Sequence, residues 1–187
     1  MRESGGKREL IKQQAMRLFV EHGVAAVSVR DIAAACDMKA SNLYAHFASR
    51  DALVAELFHT GYAEYGTILA AAATAPGPFP ARLDRLVRAI CRLHDEDNIR
   101  FRFLIMTQHS FLRDVPRDDS NPVEVVCRAV AGAMAAGEIP QREPELMAMA
   151  LIGMIVQPAT ARLYGRLQGG LLERADEFVA MCWRALS

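Results

Sequence analysis

The chain has 187 residues, 52% of them hydrophobic, with 22 basic side chains against 22 acidic ones. That length suits one domain or a small domain joined to a larger one, and the apolar content is ample for a core. No uninterrupted apolar run approaches the roughly 20 residues that span a bilayer, and the opening MRESGGKREL has no apolar signal segment, so a soluble cytoplasmic protein is expected.

The balanced charge hides an asymmetry. Residues 1–50 hold eight basic and five acidic side chains, whereas residues 51–187 hold fourteen and seventeen. A basic front on an acidic remainder suggests that the front meets a polyanion. Cys36, Cys91, Cys127 and Cys182 are scattered with no C-x-x-C pair, which favours buried thiols over a zinc knuckle or a secreted disulfide framework.

Leu10, Ile11, Ala15, Leu18 and Phe19 recur at helical spacing and Gly23 follows, predicting a first helix over about 7–22. Ser28 can cap a second, short helix over about 29–36, with Asp31 three residues on to reach back to its backbone. Ile32, Ala33 and Cys36 form its inward face, and Arg30 points elsewhere. Asp37 and Met38 make a tight turn, since Asp tolerates the left-handed backbone better than most residues. A third helix follows over about 40–47, and Ser49 can cap a fourth from Arg50 to about residue 74. Two short helices joined by a tight turn make a helix-turn-helix candidate.

The proline-rich APGPFPA at 75–81 ends the fourth helix and marks an expected domain boundary. Beyond it only helices are predicted, over about 80–94, 98–112, 122–136, 144–167 and 171–186, separated by turn-rich segments. The fold class is therefore all-α: a three-helix head over 1–50 and a larger helical body over 51–187, with the fourth helix as connector.

The third helix places Leu43 and Phe47 on one face, suited to a core, while Ala40, Ser41, Asn42, Tyr44 and Ala45 occupy much of the rest. Small residues at a helix start let the backbone approach base edges in the major groove, and Ala40 and Ser41 meet that need. Tyr44 can set its ring against a thymine methyl or a sugar; Ser41, Asn42 and His46 can donate to phosphate oxygens. Lys39 and Arg50 bring charge to the phosphates, and Arg30 can reach a guanine edge. A plain amphipathic hairpin, with Tyr44 and His46 merely covering the core, accounts equally well for the spacing.

The stretch VSVRDIAAACDMKASNLYAHFASRDALVAELF resembles the DNA-binding signature of the TetR family of transcriptional regulators, with the likeness closest over about 8–58. The matching positions are Ser28, Arg30, Ile32 and Ala33, then Leu43, Tyr44, His46 and Phe47, then Ser49, Arg50, Asp51 and Leu53. Asp37 stands where the family usually has glycine, Lys39 where a small capping residue is common, and Arg50 where lysine is usual. The resemblance implies a helical homodimer that binds a roughly palindromic double-stranded DNA operator through Ser28, Arg30, Lys39, Ala40, Ser41, Asn42, Tyr44, His46 and Arg50. It also implies a body that binds a small-molecule effector, with repression as the usual mode and no cofactor.

In the body, LMAMALIGMIV at 146–156 is apolar nearly all round and too short to span a membrane. The family layout would put the last two helices across a two-fold axis, with Met149, Ile152, Gly153, Val156, Leu171, Phe178 and Cys182 in the interface; an ordinary intrachain core is the alternative. NIRFRFLIMTQHSFL mixes Phe101, Phe103, Leu104, Met106 and Phe111 with Gln108 and His109, a composition fit for an effector pocket to which Gln157, Arg162 and Tyr164 can add. Cys91, His94, Asp95 and His109 raise a metal site only weakly, so none is assigned. An enzyme would need a nucleophile, an activating base and an orienting group, and no motif joins them. A helical adaptor would leave Arg30, Lys39, Tyr44 and Arg50 unexplained.

Overall fold

The structure is a computed structural model that describes residues 2–187, with side chains from Gly6 onward. Its helices are α1 (Arg2–His22), α2 (Val29–Ala35), α3 (Ala40–Leu43), α4 (Arg50–Thr74), α5 (Phe79–Glu96), α6 (Asn98–Phe111), α7 (Pro122–Ala135), α8 (Pro144–Leu163) and α9 (Ala175–Leu186), and no strand occurs among the described residues. Single 3-10 turns sit at Val24–Ala26, Leu112–Asp114 and Leu172–Arg174. Local chemistry accounts for the boundaries. Ser28 and Asn121 cap α2 and α7 with side-chain oxygens, and proline occupies the first turn of α5, α7 and α8, where a missing N–H costs nothing.

The chain divides into two compact units, Met1–Gly61 with Ile99–Val115 and Tyr62–Asn98 with Pro116–Ser187. This division departs from the expected one twice. The first half of α4 and nearly all of α6 belong to the first unit, and the proline-rich 75–81 is only the turn between α4 and α5 inside the second. Aromatic packing is the reason: Phe103 of α6 stacks on Phe19 of α1 at 6.0 Å between ring centroids, and Phe111 stacks on Phe58 of α4 at 5.0 Å. That core also includes Ile11, Ala15, Ile32, Ala33, Leu43, Phe47, Leu53 and Leu57, all buried.

In the second unit α7 packs against α8, and α5 and α9 pack against each other and against α8. Gly66 of α4 lies so close to the 119–120 loop that a Cβ there would meet the Ser120 backbone at 2.4 Å, so only glycine fits. Contrary to the sequence expectation, α8 is at 20 residues long and apolar enough to cross a membrane. Its apolar stretch continues past Val156 through Pro158, Ala159 and Ala161, with Glu145 and Arg162 as its charged residues. Ala148, Leu151, Ile155 and Ala159 are its buried residues; much of the remainder is not covered by the chain itself.

Candidate nucleic-acid interface

The helix-turn-helix is assembled from backbone rules. Ser28 Oγ accepts from the Asp31 N–H at 3.3 Å while Asp31 Oδ2 accepts from the Ser28 N–H at 2.7 Å, a reciprocal capping box that starts α2. The Ser28 hydrogen bonds hold the Asp31 carboxyl below its ordinary range. At the other end, the Met38 N–H donates to Ala33 O and the Asp37 N–H to Ala34 O, the paired bonds of a Schellman motif. Asp37 takes the left-handed position of that motif at φ 51°, the conformation that favours glycine.

The third helix is shorter than the spacing predicts. It ends at Leu43, and Ala45 and His46 donate to Asn42 and Leu43 through tight i to i−3 bonds before Phe47. The tightened turn keeps Leu43 and Phe47 buried, at 0% and 4% exposure, and leaves Tyr44 at 56%. Ser41, Asn42 and Ala45 are exposed, and Ala40 and His46 half-buried. Lys39 caps α3 with backbone only, its side chain exposed. Arg30 is exposed on α2. Neither cation has a carboxylate partner among the described residues.

Two of the expected contacts read differently once placed. Ser28 donates its hydroxyl to Asp31 at 2.6 Å, so its first job is the cap. Arg50 is engaged within the chain. Its Nε donates to Val27 O at 2.7 Å, one Nη to Val24 O, the other to Asp51 at 2.9 Å, and its guanidinium lies 5.6 Å from the Phe19 ring centroid. A side chain so engaged ties the start of α4 to the 3-10 turn before α2, a structural role that competes with the expected phosphate contact.

A second clamp escaped the sequence reading. Glu56 of α4 accepts from both Nη atoms of Arg8 at 2.5 and 2.6 Å and from Lys12 Nζ at 2.9 Å, and the Arg8 guanidinium lies 4.3 Å from the Phe47 ring centroid. The Arg8 hydrogen bonds, against the opposing cost of burial and with help from Lys12, bring the Glu56 carboxyl down to about 2. Arg8 and Lys12, four residues apart on one face of α1, were the available signal.

Residues 11–57 match the family model of the bacterial regulatory proteins of the tetR family. The matched stretch runs from α1 into α4, so the likeness to the tetR family is one of the head. Members of that family are transcription regulators rather than enzymes. Solved structures agree over the whole chain. A TetR-family transcription regulator from Marinobacter aquaeolei VT8 is 22% identical, with 100% of this chain and 98% of that one covered at a TM-score of 0.77. The regulator PfmR from Thermus thermophilus is 18% identical at 0.76, covering 95% of each chain. A tetR-family regulatory protein from Rhodococcus RHA1 is 19% identical at 0.79, covering 97% of each. At these identities the likeness is one of fold. A comparison with curated proteins found no match.

The helical body departs from the expected interface. Leu171, ahead of α9, and Phe178 and Cys182 on it are buried inside the chain at 1%, 5% and 0% exposure, so they belong to its own core rather than to a surface open to a second copy. Met149 and Gly153 are exposed, and Ile152 and Val156 half-buried. Of the ten expected pocket residues, seven lie on α6 in the first unit and Gln157, Arg162 and Tyr164 lie in the second. Phe103 and Phe111 stack into the first unit's core; Phe101 and Leu104 are buried; Gln108 is half-buried; Met106, His109, Gln157 and Tyr164 are exposed. Arg162 donates to Asp95 at 3.1 Å.

Two hollows in the second unit are lined by other residues. One is an apolar crevice among Phe79, Leu83, Val87, Val130 and Ile155. The other is an open groove along α4 and α7, beside Ala70, Ala73, Ala129 and Gly132, with about 950 Å³ of empty space, open solvent included. Asp95 joins α5 to the 3-10 turn ahead of α9. Burial pushes its carboxyl up, but the N–H groups of Leu172 and Leu171, with His94, outweigh that and hold it below the ordinary range. Among the described residues no three His, Cys, Asp or Glu side chains gather as a metal would require. Burial raises the Cys91 thiol to about 12 and Cys182 to about 11, which makes both poor nucleophiles.

Proposed function

We propose that this protein is a TetR-type repressor that binds a roughly palindromic operator as a homodimer and is released by a small-molecule effector. The observation that carries the DNA half is the two-faced third helix: Leu43 is fully buried while Lys39, Ser41, Asn42 and Tyr44 are exposed, as is Arg30 on α2. Small residues bring the backbone to the base edges, Tyr44 packs on sugar or a thymine methyl, and Lys39 with Arg30 neutralises phosphate or reads guanine.

The dimer half rests on α8. Leu146 at 65% and Met149 at 40% exposure share a face with Gly153 and Val156, and Met181 of α9 is 39% exposed. A long helix left this bare and apolar calls for a partner surface, and a second copy supplies one by symmetry. Burial of that face between copies also accounts for its hydropathy in a cytoplasmic protein. A dimer sets two recognition helices about 34–36 Å apart, one turn of B-DNA, which is why the operator should be palindromic. Effector release follows if the ligand-bound and DNA-bound states differ in head spacing and the ligand prefers one of them. Helix α4, which belongs to both units, is the lever for that coupling.

The test is enrichment of duplexes from a random library, followed by fluorescence anisotropy of the enriched duplex against a scrambled one across a salt series. Recovery of an inverted repeat, with affinity falling as salt rises, is the expected outcome. Failure to enrich any duplex, with equal binding to all sequences, would remove the operator reading.

A further inference from the structure

Arg8 lies on α1, outside the helix-turn-helix, yet its guanidinium is 4.3 Å from the ring centroid of Phe47, the residue that closes the recognition turn. The same guanidinium donates two parallel hydrogen bonds to Glu56 of α4, at 2.5 and 2.6 Å, and Lys12 adds a third contact to that carboxylate at 2.9 Å. Both partners are only part-buried, with side-chain exposures of 37% and 30%, so a simple surface ion pair would add little stability. Bidentate pairing and ring stacking add something a surface pair does not: they fix the plane of the guanidinium and hence what lies against it.

We propose that Arg8 is a positioning residue for the recognition helix, held flat by Glu56 so that Phe47, and with it the turn carrying Tyr44, keeps one orientation. The helix ahead of it spans only Ala40–Leu43. A single turn of helix does not hold its own shape in water. Its exit is secured by the His46 and Phe47 N–H bonds to Leu43 O, at 2.9 and 3.0 Å, and by the packing of the Phe47 ring. Arg8 covers that ring from the α1 side, and Glu56 is the residue of α4 that aligns Arg8. The three side chains thus connect α1, α4 and the recognition turn within the first unit. Arg8 itself is engaged twice over, which separates it from Lys39 and Arg30, whose charges have no carboxylate partner among the described residues.

This inference rests on the DNA-binding reading for its functional half and stands on the protein alone for its structural half. Arg8→Lys keeps the charge and loses the fork; Glu56→Gln keeps the shape and loses the charge. In both variants, amide exchange at His46 and Phe47 is expected to accelerate tenfold or more, while exchange at the buried Ala15 and Phe19 of α1 stays as in the native protein. On DNA, both variants should lose about tenfold or more of the preference for the enriched duplex over the scrambled one, with binding to the scrambled duplex nearly unchanged. Native exchange rates at His46 and Phe47 in both variants would overturn the positioning role. So would native duplex preference in Arg8→Lys combined with a salt slope lowered by about one in Arg8→Met, because that pair of results identifies a direct phosphate contact. Loss of the operator reading shows instead in the native protein, which would enrich no duplex at all.

Discussion

Removing the Arg50 guanidinium separates a structural clamp from a phosphate contact. In Arg50→Met the carbonyls of Val24 and Val27 lose their donor. A hydrogen bond to a charged group contributes about 1.5–3 kcal/mol. The side chain is a quarter exposed, which puts the pair at the low end of that range. Val24 is half-buried, so water can replace one of the two bonds, whereas Val27 is 4% exposed and its carbonyl is harder to rehydrate. The retained apolar stem of Met still covers Phe19, so the loss of packing is small.

The expected cost is about 2–3 kcal/mol, and at about 2–4 °C per kcal/mol for a chain of this size the melting temperature should fall by about 4–12 °C. Thermal melts followed by far-ultraviolet circular dichroism read the shift, and Arg50→Lys should fall between the two because one ammonium reaches one carbonyl well. The salt slope of scrambled-duplex binding should be unchanged in both variants. An unshifted melt with a slope lowered by about one in Arg50→Met would refute the reasoning and restore Arg50 as a phosphate ligand.

Leu43→Ala and Tyr44→Ala, neighbours in sequence, should fail in opposite ways: the first costs about 2–5 kcal/mol of stability through a cavity, the second leaves the melt in place and weakens operator binding by about 1–3 kcal/mol. Paired melts and anisotropy titrations check this, and a destabilised Tyr44→Ala would argue for the core-covering role instead. Replacing Leu146 and Met149 together with Glu should convert the dimer to monomer in sedimentation equilibrium without loss of helix, whereas Phe178→Ala, in the intrachain core, should destabilise the fold by about 3–5 kcal/mol. The Glu56 carboxyl titrates near 2 in the folded protein and near 4.3 when unfolded. The unfolded chain therefore binds the extra proton between those values, and the clamp's contribution is complete above about pH 4.3 and lost as pH falls toward 2. Urea unfolding of Glu56→Gln should accordingly show a shallower loss of stability over that window than the native protein.

Helix boundaries were legible because their causes are local. Ser28 with Asp31, Asn121 before Pro122 and Gly137 after α7 act within a few residues, so caps, prolines and left-handed turns place most of the nine helices among the described residues to within a few positions. The head was legible for the same reason, since three-and-four spacing separates Leu43 and Phe47 from Tyr44 without reference to the rest of the chain. Spacing reports which face of a helix is buried and is silent on what buries it. Leu171, Phe178 and Cys182 form a faithful apolar stripe, and only tertiary packing assigns it to the chain's own core while leaving Leu146 and Met149 bare. Phe103 and Phe111 carry a composition fit for a pocket, and only the placement of α6 beside α1 and α4 turns them into stacking partners of Phe19 and Phe58. Arg50 and Arg8 show the limit most directly. A guanidinium on a flexible stem reaches several ångströms in any direction, so its partner depends on which acceptor the folded chain brings within reach, here the Val24 and Val27 carbonyls and the Glu56 carboxylate.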